Sequence, residues 1–115
     1  MDFHVYLYGR ERGALGISFE AASDALSEID SLYFEPDGSL VWSDPPHQVF
    51  GMLYDAAGSL QYVELRGRCD LIHWRRLTDV FLADRASASV LVLPQQELQD
   101  LQCFEQRSFD LSDGE

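Results

Sequence analysis

The chain predicts an α+β domain: a mostly antiparallel sheet, in the order β-α-β-β-β-β-α-β-α, with helices packed on one face. Three observations carry this. Runs of alternating polarity are joined by two turn-forming segments, the pattern of consecutive hairpins. Apolar residues recur at helical spacing in three other segments. Hairpins require antiparallel pairing, and amphipathic helices require an apolar face to cover. A ferredoxin-like arrangement with an extra hairpin is the alternative. With 115 residues and a hydrophobic fraction of 46%, there is material for one core. A single domain is expected over residues 1–107, followed by a flexible acidic tail at 108–115.

Each element has its own reason. Residues 2–8, DFHVYLY, alternate, with Phe3, Val5 and Leu7 on one side and His4, Tyr6 and Tyr8 on the other, predicting a strand with both faces partly covered. GRERGALGIS reads as a flexible connector, because its glycines lack a phosphate-cradling spacing. Residues 19–31 predict a helix capped by Ser18, with Phe19, Ala22, Leu26 and Ile29 facing the core. LYFEPDGSLVW predicts a hairpin turning at Glu35–Gly38. HQVFGMLY and SLQYVEL predict a second hairpin with a longer loop over residues 55–59, and mid-strand Gly51 suggests a bulge or a large neighbour. Gly67 is expected to end the sheet run, and Asp70 to cap a helix over LIHWRRLTDVFLA, with an Arg75–Asp79 pair on its exposed side. ASVLVL predicts a buried strand. Pro94 then opens a last helix, QQELQDLQCFEQ, with Leu98, Leu101 and Phe104 inward.

Composition excludes several chemistries. The chain contains no lysine and no asparagine, consistent with a GC-rich genome. Without lysine there is no Walker A lysine, Schiff base or pyridoxal phosphate anchor. Two cysteines, Cys69 and Cys103, are too few for a disulfide scaffold. The start lacks the basic and apolar regions of a signal peptide, and no apolar run is long enough to cross a membrane as a helix. A bacterial-type cytoplasmic location with both thiols reduced follows as the expectation. A net charge of -12 disfavours nucleic acid as a partner. An acidic chain can also imitate nucleic acid or block a basic protein, a reading that rests on net charge alone.

The charges are unevenly placed. No arginine lies between Gly13 and Leu65, whereas Arg66, Arg68, Arg75 and Arg76 fall in one eleven-residue stretch that contains a single acid, Asp70. Glu20, Asp24 and Glu28, spaced by four, form a like-charge stripe on the first helix. Three readings follow for the arginines: local pairing with surrounding carboxylates, a protein interface in which they meet an acidic stripe, or an anion site at a helix N-terminus. These seven residues are the candidate binding set.

Catalytic and metal sites are not expected. Cys69 and His73 are four apart, but Cys69 precedes the helix cap, and no CxxC or HExxH spacing is present. His4 and His47 have no recognisable partner in the sequence. The leading functional expectation is a non-enzymatic module that binds another protein, including a second copy of itself, and needs no cofactor. The alternative is a small enzyme or an anion- or ligand-binding domain that uses a sheet–helix cleft near Cys69, His73 and Arg68.

Overall fold

The computed structural model describes residues 2–109. Seven strands form one sheet: β1 (Asp2–Tyr8), β2 (Leu32–Phe34), β3 (Ser39–Asp44), β4 (His47–Ala56), β5 (Ser59–Arg68), β6 (Ser89–Val92) and β7 (Glu97–Asp100). Three helices accompany them: α1 (Phe19–Leu26), α2 (Leu71–Phe81) and α3 (Leu101–Ser108). The strand order is β2-β3-β4-β5-β1-β6-β7, and every neighbouring pair is antiparallel. This is the α+β architecture expected. The ferredoxin-like alternative does not hold, because its split βαβ units require parallel neighbours. Here β1 lies between β5 and β6 and runs antiparallel to both.

The helices cover one face only. Phe3, Val5 and Leu7 of β1 point into the core with Val63, Leu65, Val49, Leu53, Leu40 and Trp42. Trp74 of α2 sits at the centre of this layer. Its ring meets Phe3 at 5.1 Å edge-on, Phe104 of α3 at 5.2 Å and Phe109 at 5.7 Å. Leu26 of α1 and Leu77 and Phe81 of α2 complete the layer. Burial of this apolar surface is the main term that holds helices to sheet.

Several local expectations need correction. The first helix ends at Leu26, and Ile29 reaches the core from the turn that follows. The connector after β1 is pinned rather than loose: Leu15 donates to the Leu60 carbonyl, Leu60 to that of Ile17, and Phe19 to that of Gly58. The β4–β5 loop is only Ala57-Gly58, both at positive φ, so the strands run further than expected and the hairpin is tight. The register shift lies between Tyr54 and Asp55, not at Gly51. Gly51 answers to large neighbours, since an added Cβ would sit 2.9 Å from Leu40 Cγ and 3.1 Å from Leu65 Cδ2. Gly67 stays within β5, opposite both Phe3 and Val49.

The largest departure is at the C-terminal end. Pro94 does not open a helix. Residues 97–100 pair with β6 instead, and Asp100 caps α3 by accepting from the Cys103 N–H at 2.7 Å. Leu98 is therefore exposed rather than inward. The expected acidic tail beyond residue 109 lies outside the described residues. No described helix is long and apolar enough to cross a membrane.

Candidate functional site

Two regions stand out once the layers are placed. The first is the sheet face that no helix covers. Strand alternation sends His4, Tyr6 and Tyr8 of β1, Tyr62, Glu64 and Arg66 of β5, and Phe50, Met52 and Tyr54 of β4 to this side. Tyr62 is the hub. It stacks on Tyr54 at 4.6 Å and meets Tyr6 and Tyr8, each at 5.3 Å. Glu64 accepts a hydrogen bond at 3.3 Å from the Tyr54 hydroxyl and lies 2.6 Å from His4 Nε2. Cations close two margins: the Arg66 guanidinium stands 5.4 Å over Phe50, and that of Arg12 5.3 Å over Tyr8. Burial together with the charge on Glu64 holds the Tyr6 and Tyr54 hydroxyls above their usual pKa.

The second region lies where the β3–β4 turn meets the start of α2. Asp70 caps the helix by accepting from the His73 N–H at 2.9 Å, and that bond is the main cause that lowers its pKa. The same carboxylate lies 2.7 Å from His73 Nδ1, while His73 Nε2 lies 2.9 Å from Asp44 Oδ2. His47 stacks on His73 with ring centroids 3.8 Å apart, and its Nε2 lies 3.7 Å from Asp70 Oδ2. Burial works to lower the His73 pKa, but the two carboxylates more than offset it and hold it above its ordinary value. A cleft of about 580 Å³ opens beside this cluster, lined by Pro46, His47, Arg68, Cys69, Asp70 and Phe109 among others.

The seven predicted binding residues do not form one site. Arg66 lies on the uncovered sheet face, and Arg68 reaches the cleft at the strand end. Arg75 leaves the group altogether. It binds Glu105 of α3 through Nε at 3.2 Å and Nη2 at 3.0 Å, rather than the expected Asp79, which pairs with Arg85 at 2.8 Å. Arg76 is exposed on the helix layer. Glu20, Asp24 and Glu28 are all exposed, on α1 and the turn after it, in the layer away from the aromatic face.

Cys69 borders the cleft but is only 8% exposed, and burial pushes its thiol up to about 12. Native Cys69 is therefore expected to react with iodoacetamide on the order of 1,000-fold more slowly than free cysteine at neutral pH. A rate within about tenfold of free cysteine would instead make it an available nucleophile.

Reasoning from sequence alone missed the His47–His73 pairing, because 26 residues and two elements separate them. The available signal was that His47 follows the Pro-Pro break and that Asp70 precedes His73 by one helical turn. No family model, no curated protein and no solved structure matches this chain.

Proposed function

We propose that this chain is a protein-binding module whose uncovered sheet face pairs with a second copy of itself. The observation that carries this reading is the aromatic ladder Tyr54–Tyr62–Tyr6/Tyr8 on a face that no helix covers. Large contiguous aromatic surfaces are uncommon on monomers and enriched at interfaces. The face is also electrically quiet. In a chain of net charge -12, its centre holds one acid, Glu64, and one base, Arg66. A two-fold axis through such a face sets each Glu64 near an Arg66, which is self-complementary.

Size supports a second copy. Seven strands about 4.8 Å apart span about 29 Å, and the central strands of seven to ten residues run about 23–33 Å. With shorter edge strands, the footprint is about 600 Å² before side-chain relief is counted, close to the roughly 800 Å² per partner of a standard interface.

Sedimentation velocity over a concentration series at two salt concentrations tests this. A dimer is expected with Kd between about 1 μM and 1 mM. It should tighten as salt rises, because two acidic bodies repel and salt screens them. Tyr62→Arg should weaken it at least about tenfold, or about 1.4 kcal/mol. Phe50→Ser should weaken it too, and Ile72→Ser, on the helix layer, should leave it unchanged. A protein that stays monomeric at about 1 mM in both salts sinks the proposal. So does a dimer that ignores both face variants.

A further inference from the structure

We propose that His47, Asp70 and His73 form a binding site for a divalent transition-metal ion, with Asp44 as the outer carboxylate that orients His73. This site is separate from the sheet face and stands or falls independently of it.

The donor set is the first argument. Among the described residues, one ligand atom from each of His47, Asp70 and His73 lies within 4.8 Å of the others. Two imidazoles and one carboxylate suit zinc, iron or nickel, whereas calcium and magnesium favour oxygen alone. An acidic surface patch does not explain this grouping, because two of its three members are histidines from different elements.

Geometry is the second argument. His73 offers Nδ1 on the side of Asp70, at 2.7 Å, and Nε2 toward Asp44, at 2.9 Å. With an ion bound, Nε2–H would keep its bond to the Asp44 carboxylate while Nδ1 would exchange its contact with Asp70 for the ion, the outer-shell pattern that fixes tautomer and ring direction at metal-bound histidines. Bonds of about 2.0–2.1 Å require donors about 3.0–3.4 Å apart; His73 Nδ1 lies 2.7 Å from Asp70 Oδ1, His47 Nε2 lies 3.7 Å from Asp70 Oδ2, and one donor atom from each of the three residues lies within 4.8 Å of the others. Binding therefore requires side-chain rotations that turn the stacked His47 and His73 rings toward one ion.

The local fold supplies rigidity. Asp70 is held at the helix start by the bond it accepts from the His73 N–H at 2.9 Å. His47 is the first residue of β4 and pairs with Asp44 across the turn. The Trp42 ring lies 5.0 Å from that of His73 and backs the site. Three protein ligands leave at least one position open, and the cleft lined by His47, Asp70 and Phe109 adjoins the cluster.

The competing arrangement is a doubly hydrogen-bonded His73 cation with no metal, and one experiment separates them. The full chain, stripped with a chelator, is titrated calorimetrically with Zn²⁺ and followed by visible spectroscopy with Co²⁺. One ion per chain is expected, together with Co²⁺ ligand-field bands. His47→Ala should weaken binding by more than about 100-fold, and Asp44→Asn by about 10–100-fold, as outer partners do. His4→Ala, on the opposite sheet face, should leave affinity unchanged. Circular dichroism confirms that each variant is folded, and His47→Gln replaces His47→Ala if the latter unfolds. Absence of Zn²⁺ binding at millimolar concentration overturns the proposal. So does Zn²⁺ affinity that neither His47 variant changes, or affinity that Ca²⁺ matches, which would mark simple attraction to an acidic surface.

Discussion

Glu105→Ala should destabilise the domain by about 3–5 kcal/mol, the cost of breaking a buried ion pair from one side. Glu105 is 4% exposed, yet its carboxylate accepts from three side chains. Trp74 Nε1 donates at 2.9 Å, Arg75 Nε and Nη2 donate at 3.2 and 3.0 Å, and Arg85 Nη2 makes a short contact to the other oxygen. The carboxylate thus ties α3 to α2 and to the loop before β6. Truncation strands the indole N–H of a fully buried tryptophan, which by itself costs about 1–3 kcal/mol. The two guanidiniums are partly exposed and recover some hydration, so the figure stays below the full cost of burying two unpaired charges. Glu105→Gln retains one acceptor and should cost less, about 1–3 kcal/mol. Against a total stability of about 5–15 kcal/mol, the alanine variant is severe. Urea denaturation of both variants gives the values, and an alanine cost below about 1 kcal/mol would mean that water replaces Glu105 without loss.

Gly67→Ala should be comparably damaging for a different reason. Gly67 adopts φ +141° one residue before the end of β5, between β1 and β4. A Cβ there would lie 2.1 Å from the Gln48 carbonyl oxygen and 2.9 Å from Val49 Cα. Both are backbone atoms of a paired strand, so no side chain can swing aside. Backbone strain of about 1–3 kcal/mol and overpacking of about 1–3 kcal/mol together give about 2–6 kcal/mol. Gly58→Ala is the control. Gly58 also has positive φ, at +83°, but nothing lies within 4 Å of its Cβ position, so only the strain remains. Thermal melts of the pair separate the two contributions, and equal losses would show that the close approach at Gly67 is relieved by a small strand shift.

Gly67 stands within one residue of the end of β5, where the sheet run was expected to stop. Its chemistry marks a break in a strand, and in isolation that reading is sound. What no local pattern shows is that β4 approaches so closely here that only glycine fits. Residues 94–100 failed for a related reason. Leu98, Leu101 and Phe104 keep helical spacing, but β6 offered an unpaired edge, and pairing Glu97–Asp100 to it satisfied backbone groups that a longer helix would have satisfied internally. Arg75 illustrates the limit on charge patterns. Asp79 is its helical neighbour, yet a buried carboxylate from α3 offers less screened bonds than an exposed one.

The sequence by itself determined the α+β class, the two hairpins, the Ser18 and Asp70 caps and the apolar faces of β1 and α2, all of which rest on periodicity, turn chemistry and capping within a few residues of each other. It also determined that the charge is segregated and that lysine chemistry is excluded. Only the tertiary structure decided which face of the sheet the helices leave uncovered, since alternation is equally visible on both sides of a strand. It alone brought Tyr62 of β5 against Tyr54 of β4 and Tyr6 of β1, and His47 against His73. Those meetings depend on strand register and on where α2 starts relative to the β3–β4 turn, relations between distant segments that no local pattern encodes.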